Sequence, residues 1–294
     1  MSSNYVLMTD VGSDLPASYY KEHNIPFISL TVTMDGKSFK DDVGQTVPYE
    51  EFYAKVRGGS MPTTAMINVG EYTDAMEPYL NEGKDILYIA LSSGISGSCA
   101  NAFMTAGELR EKYPDRKIIV VDSLCASLGG GLLVHEARKR RDAGTGIDEL
   151  HVWLEASKLD IHHLIFVDDL MHLWRGGRVS RAKAMVGTLI GMRPELILNS
   201  EGRLQVIGKS RGRQGAIKNL AERMAPYVTS DSLGDIMICH SDCQADAETV
   251  RDLVAAKYSF DSCLINFVGC TIGAHTGAGI IALFFFGKTR TPVE

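Results

Sequence analysis

Short apolar runs alternate with amphipathic stretches along the first half of the chain. Residues 5–9 read as a strand that stops in the turn Asp10-Val-Gly-Ser-Asp-Leu-Pro16, and Pro16 suits the first turn of a helix running towards His23. Residues 25–34 are rich in β-branched side chains and end at Asp35-Gly36, a hairpin signal. Residues 48–57 and 70–81 read as helices. Residues 86–91 and 117–122 are continuous apolar runs, each followed by a Gly/Ser loop and then a helix. Such runs suit parallel strands buried on both faces. The first half is therefore expected to be an α/β domain built on a mainly parallel sheet.

A composition shift falls at residues 144–158, and the boundary is drawn there, giving domains over 1–157 and 158–294. Beyond it, residues 164–167 read as a strand and 168–174 as a short helix stopped by Gly176-Gly177. Residues 193–198 and 203–207 flank the turn Asn199-Ser-Glu-Gly202, a second hairpin. Helices are expected over 215–227 and 245–258, and strands over 235–239, 263–268 and 279–286. Hairpins mixed with long β-runs point to an α+β second domain, and no repeat or low-complexity tract interrupts either half.

Composition narrows the class. The chain has 294 residues, 45% hydrophobic and 22% charged, which fits a folded globular protein and not a disordered or coiled-coil one. A net charge of −6 argues against a broad nucleic-acid footprint. Apolar runs such as residues 280–286 fall far short of the roughly 20 residues a membrane helix needs. The start of the chain lacks the basic and apolar regions of a signal peptide, so a cytoplasmic location is expected. The six cysteines form no CxxC pair and read as reduced core residues. Cys239-His240-x-x-Cys243 lacks the two further ligands a zinc site needs, so no metal is expected.

Four loops are rich in glycine, hydroxyl, His or Arg side chains: Pro62-Thr63-Thr64, Ser92 to Ser98, Arg175-Gly-Gly-Arg178, and Gly273-Ala-His275-Thr276-Gly277. Ligands in open α/β sheets gather beyond the carboxyl ends of strands, where such loops lie. The Ser92 to Ser98 loop precedes a helix, so it is either an anion site or a plain helix cap. It is not a Walker motif, because no Lys follows the glycines, and Ser98 stands where a nucleophile elbow needs Gly. His275 reads as a site residue in a loop between strands. Arg175 and Arg178 form a fork that either binds an anion or satisfies helix-end carbonyls. His162 and His163 lie on a strand and read as structural.

In these loops the chain resembles the DegV family. The resemblance runs through Thr9-Asp10 to Ser13-Asp14-Leu15-Pro16, Pro62-Thr63-Thr64, Leu91 to Ser98, and Val121-Asp122-Ser123. It continues in Phe166-Val-Asp-Asp-Leu170, Leu173-Trp-Arg-Gly-Gly-Arg-Val-Ser180, Arg193-Pro194, Gly202, Lys209 to Arg213, and Gly269 to Gly279. Characterised members are fatty-acid-binding subunits of bacterial fatty acid kinase. The resemblance implies two domains with a lipid tunnel between them and no catalytic residue or cofactor in this chain. It implies that Thr64, Ser96 and His275 hold the acyl carboxylate, with Arg175, Ser93, Gly97 and Thr276 near the head group. This chain departs from the family at Ala65, Met66 and Ile67, where Ser-Gln-Pro is usual, so Ala65 supplies no second hydroxyl.

The implied partners are a long-chain fatty acid, the kinase catalytic subunit and a transient membrane contact. Lys209, Arg211 and Arg213 are the expected kinase-docking cations; from charge alone they read as a solvated basic turn. The competing reading is a serine hydrolase or acyltransferase acting through Ser96 and His275. A third, a DNA-binding regulator, lacks a basic recognition helix.

Overall fold

The computed structural model describes residues 5–180 and 191–291. In chain order the first half holds β1 (Tyr5–Asp10), α1 (Ala17–Glu22), β2 (Phe27–Ile28), β3 (Thr31–Met34), β4 (Lys37–Lys40), α2 (Tyr49–Arg57) and β5 (Thr63–Ala65). There follow α3 (Val69–Asn81), β6 (Asp85–Ala90), α4 (Ser98–Lys112), β7 (Ile118–Asp122), α5 (Leu128–Asp142) and α6 (Ile147–Ser157). Strands β2-β1-β6-β7 form a sheet in that order, parallel throughout. Every residue of β1 is buried, as expected for a strand covered on both faces. The Asp35-Gly36 turn closes the β3–β4 hairpin, and β5 adds to the other edge of β3 in the register Val32↔Thr64. A capping box starts α3: the Asn68 side chain accepts from the Glu71 amide, and the Asn68 amide donates to the Glu71 carboxylate. It fixes where the chain leaves β5.

The second half holds β8 (Ile161–Phe166), α7 (Met171–Arg175), β9 (Met192–Leu198), β10 (Leu204–Arg211), α8 (Gly212–Glu222) and β11 (Asp235–His240). It ends with α9 (Gln244–Ala255), β12 (Ser262–Phe267), α10 (Cys270–Thr276) and β13 (Ile281–Phe286). The sheet order is β10-β9-β8-β13-β11-β12, antiparallel except for β11 and β12, which the crossover through α9 makes parallel. Strand periodicity divides the side chains. Leu164, Phe166, Ile236, Ile238, Ile281, Leu283 and Phe285 pack under α8 and α9 in one core. Their neighbours Ile165, Met237, Cys239, Ala282 and Phe284 turn to the opposite face and join the core of the first half. The long apolar β-runs are thus explained: this sheet too is covered on both sides. Among the described residues no helix is long and apolar enough to cross a membrane.

Helix α5 lies between the two halves and can do so because it begins Leu128-Gly-Gly-Gly131. A Cβ on Gly129 would sit 2.1 Å from Nε2 of His163, and one on Gly131 would sit 2.6 Å from the Ser13 carbonyl oxygen. Glycine here serves close approach. Replacing Gly129 by Ala is therefore expected to destabilise the protein by about 1–3 kcal/mol through overpacking. Gly107→Ala on α4, where a new methyl meets nothing within 4 Å, is expected to be neutral or stabilising by about 0.5–1 kcal/mol. Denaturant melts of the two variants check the pair; equal effects would refute the packing argument.

Candidate functional site

Four pieces of chain converge at one end of a cavity of about 260 Å3. Strand β5 brings Thr64, the loop before α4 brings Ser96 and Gly97, the last turn of α10 brings His275 and Thr276, and the segment after α7 brings Arg178. The loop carrying Ser96 is pinned from both halves. Leu91 donates its amide to Asp10 at 2.8 Å, and the Ser92 hydroxyl donates to the Gly202 carbonyl at 2.9 Å. The rest of the lining is mainly apolar, with Ile165, Val167, Ala282 and Phe284 from the second sheet and Leu198 and Leu204 from the β9–β10 hairpin, beside the polar Ser127, His163 and Thr271.

His275 Nε2 lies 2.8 Å from Thr64 Oγ1, and Arg178 Nη1 lies 3.5 Å from His275 Nδ1. The guanidinium is held in place by the carbonyls of Ile95, at 3.0 Å from Nε, and Gly176. Burial, and secondarily the positive charge of Arg178, push the His275 imidazole down from 6.5 to about 4. At neutral pH the ring is uncharged, and the fixed positive charge of the site belongs to Arg178. Ser96 Oγ accepts the Ser98 amide at 3.2 Å and pairs with the Ser98 hydroxyl at 3.1 Å. His275 thus bonds Thr64, while Ser96 is bonded within its own loop.

The sequence-derived site is partly redrawn. Thr64, Ser96, Gly97, His275 and Thr276 all line the cavity. His275 stands in a helix, not in the expected loop, with Gly277 at φ 76° ending that helix. The Arg fork splits. Arg175, in the last turn of α7, is exposed and reaches Met61 Sδ at 3.6 Å, whereas Gly176 and Gly177 reverse the chain so that Arg178 turns inward. Ser93 is exposed and lies outside the lining; its amide donates to Asp122. Gly176 has a steric role as well, since a Cβ there would sit 2.3 Å from His275 Nδ1.

His163 and Cys239 also face the cavity, which the alternation of β8 and β11 implies once the cavity face is known. In the basic segment Lys209 and Arg211 are exposed, but Arg213 bonds Asp168, Asp246 and the Gly279 carbonyl and is committed inward. All six cysteines are free thiols. Cys239 and Cys243 do not converge with His240 on one point: Cys239 Sγ takes the Ser127 hydroxyl and Cys243 Sγ faces the Ile280 carbonyl. His135, Glu136 and Asp235 gather closely, but the Lys139 ammonium already bridges both carboxylates.

The family model described as uncharacterised protein, DegV family, matches residues 4–288, and the chain belongs to that family. It is 38% identical over 288 residues to a DegV domain-containing protein of Clostridium perfringens, covering 98% of this chain and 99% of the relative. Among solved structures it resembles a fatty-acid-binding DegV family protein from Thermus thermophilus, with a TM-score of 0.87 and 26% identity over 97% of this chain and 99% of that one. It also resembles a fatty-acid-binding DegV family protein from Streptococcus agalactiae, with a TM-score of 0.81 and 28% identity over 98% of this chain and 100% of that one.

The neutral imidazole carries its own test. In an NMR titration of the ligand-free protein, His275 is expected to hold one protonation state between pH 6 and 8 and to titrate near 4. An anion bound beside it is expected to raise that midpoint, because a negative charge favours imidazolium. A free-protein midpoint near the ordinary 6.5 would show that burial and Arg178 do not act as described.

Proposed function

We propose that this member of the DegV family is a cytoplasmic protein that holds a long-chain fatty acid between its two halves. It presents the carboxylate to a separate ATP-dependent kinase and carries the acyl phosphate product. The observation that supports this most is the distribution of polarity in the cavity: a cluster of hydroxyl, imidazole and guanidinium groups at one end of an otherwise mainly apolar lining. A fatty acid has that shape and that chemistry. Burying about fifteen methylenes gains on the order of 12 kcal/mol before the costs of association. The carboxylate is buried only if donors meet it. Thr64 and Ser96 can supply neutral donors, His275 holds Thr64 in place beside them, and Arg178 supplies positive charge. The fatty-acid-binding relatives named above support the same ligand.

Phosphoryl transfer from ATP needs a nucleotide site and metal. The chain has no Walker motif, so the chemistry is assigned to the partner. With Arg213 engaged internally, Lys209 and Arg211 are the cations of that segment left to meet an acidic partner surface.

Organic extracts of the purified protein, analysed by mass spectrometry, are expected to contain a long-chain fatty acid. Thr64→Ala and Ser96→Ala are each expected to weaken its binding about tenfold to a hundredfold, the cost of one donor to a buried anion. Calorimetric affinities unchanged in both variants would remove the head-group assignment. Lys209→Ala combined with Arg211→Ala is expected to slow kinase-dependent phosphorylation most at low salt, with lipid affinity kept within about twofold. Loss of lipid with intact coupling to the kinase would place these residues in the pocket instead.

A further inference from the structure

The two neighbours of His275 decide which of its nitrogens carries the proton. A guanidinium has donors only. Arg178 Nη1 stands 3.5 Å from Nδ1, so a proton on Nδ1 would set two N–H groups against each other in a half-buried site. Nδ1 therefore offers its lone pair and Nε2 carries the hydrogen. Neither group is free to reorient. The guanidinium is anchored on the Ile95 and Gly176 carbonyls, and the ring lies against Gly176 with no room for a Cβ. Nε2–H then donates to Thr64 Oγ1 across 2.8 Å, which leaves the Thr64 hydroxyl proton for another acceptor.

We propose that Arg178 is a positioning residue: through His275 it orients the chain Arg178→His275→Thr64 so that the Thr64 hydroxyl always donates to the ligand. The head-group end then presents hydrogen-bond donors aimed at an oxyanion, and Thr64 works at full strength only while Arg178 fixes the imidazole. With Arg178 replaced by a neutral group, Nδ1 is free to take the proton, Nε2 becomes an acceptor, and the Thr64 hydroxyl turns to it and away from the ligand. The ligand part of this inference rests on the fatty-acid reading. The tautomer part does not.

The test has two arms. Long-range proton–nitrogen NMR of the ligand-free protein distinguishes the tautomers. The expected result is Nε2–H in the wild type and in Arg178→Lys, and a mixed or Nδ1–H state in Arg178→Gln and Arg178→Ala. An Nδ1–H wild type, or one tautomer unchanged through all three variants, would overturn the proposal. In the second arm stearic acid is titrated by calorimetry in a double-mutant cycle with Thr64→Val, which exchanges the hydroxyl for a methyl group. The Thr64 change is expected to cost about tenfold in the wild-type and Arg178→Lys backgrounds and little in Arg178→Gln. Equal Thr64 costs in all backgrounds would mean that Arg178 acts as an independent charge and not through the imidazole. If stearic acid binds to no form while the tautomer follows Arg178, the ligand reading fails and the positioning role stands.

Discussion

The site depends on how one short helix is held at its N-terminus. Helix α10 is seven residues long, too short to be stable by itself, so its place is set by what grips it. The grip comes from the other half of the chain. Asp14 accepts the Gly269 amide at 3.0 Å, Asp41 accepts the Thr271 amide at 2.7 Å, and the Tyr53 hydroxyl donates to the Val268 carbonyl at 2.7 Å. Asn266 adds a bond to the Asp14 carbonyl. Acidic side chains at a helix start satisfy amides that have no partner within the helix and match its dipole. Burial pushes both carboxyls above their ordinary value, and these bonds pull the other way. His275 lies one turn beyond Thr271, so acids of the first half decide where an imidazole of the second half stands.

The cavity follows from the alternation of the second sheet. One set of side chains closes against α8 and α9, and the other meets the first half across α5. The strip that faces the cavity mixes large residues, such as Phe284, with small ones, such as Ala282, Ala126 faces it from the loop before α5, and the glycines of α5 set how closely the halves approach. A tightly packed core leaves few voids larger than a water molecule. A mainly apolar space lined by the second sheet and by loops and β5 of the first half, with Thr64, Ser96, His275 and Arg178 gathered together, is thus a feature of the architecture and not a packing fault.

Much of this was legible in the residues, and the limits were physical. Period and punctuation located β1, β6, β7 and the β3–β4 hairpin, because strands buried on both faces and Asp-Gly turns are local signals. Thr64, Ser96 and His275 stood out through the company of glycine and hydroxyl neighbours together with a family resemblance. The partition of the Arg fork was not legible. Arg175 and Arg178 differ only in standing before or after two glycines, and only the reversal at Gly177 turns the second one inward. The internal pairing of Arg213 was hidden for the same reason, since Asp168 and Asp246 are distant in sequence and adjacent only in the fold. His275 was misplaced into a loop because seven residues flanked by glycines carry too little periodicity to declare a helix.

The absence of a hydroxyl at Ala65, where the family resemblance implies one, is best weighed in the same electrostatic terms. Residues 58–70 and 91–107, which contribute Thr64 and Ser96, contain no charged side chain at all, although 22% of the protein is charged. Met66, which lines the polar end, is 58% exposed, and so are Met104 at 58% and Phe103 at 46% on α4. An anion reaching this end therefore meets no competing carboxylate from either segment, and the cation facing the imidazole there is Arg178. Coulombic attraction in a half-buried setting is several times what the same pair gains in bulk water, and it acts over a longer range than a hydroxyl bond. On the proposed fatty-acid reading, a chain that places Ala65 beside Thr64 would thus still hold a carboxylate. The guanidinium would supply attraction from a distance, and Thr64 and Ser96 would need only to supply direction at contact.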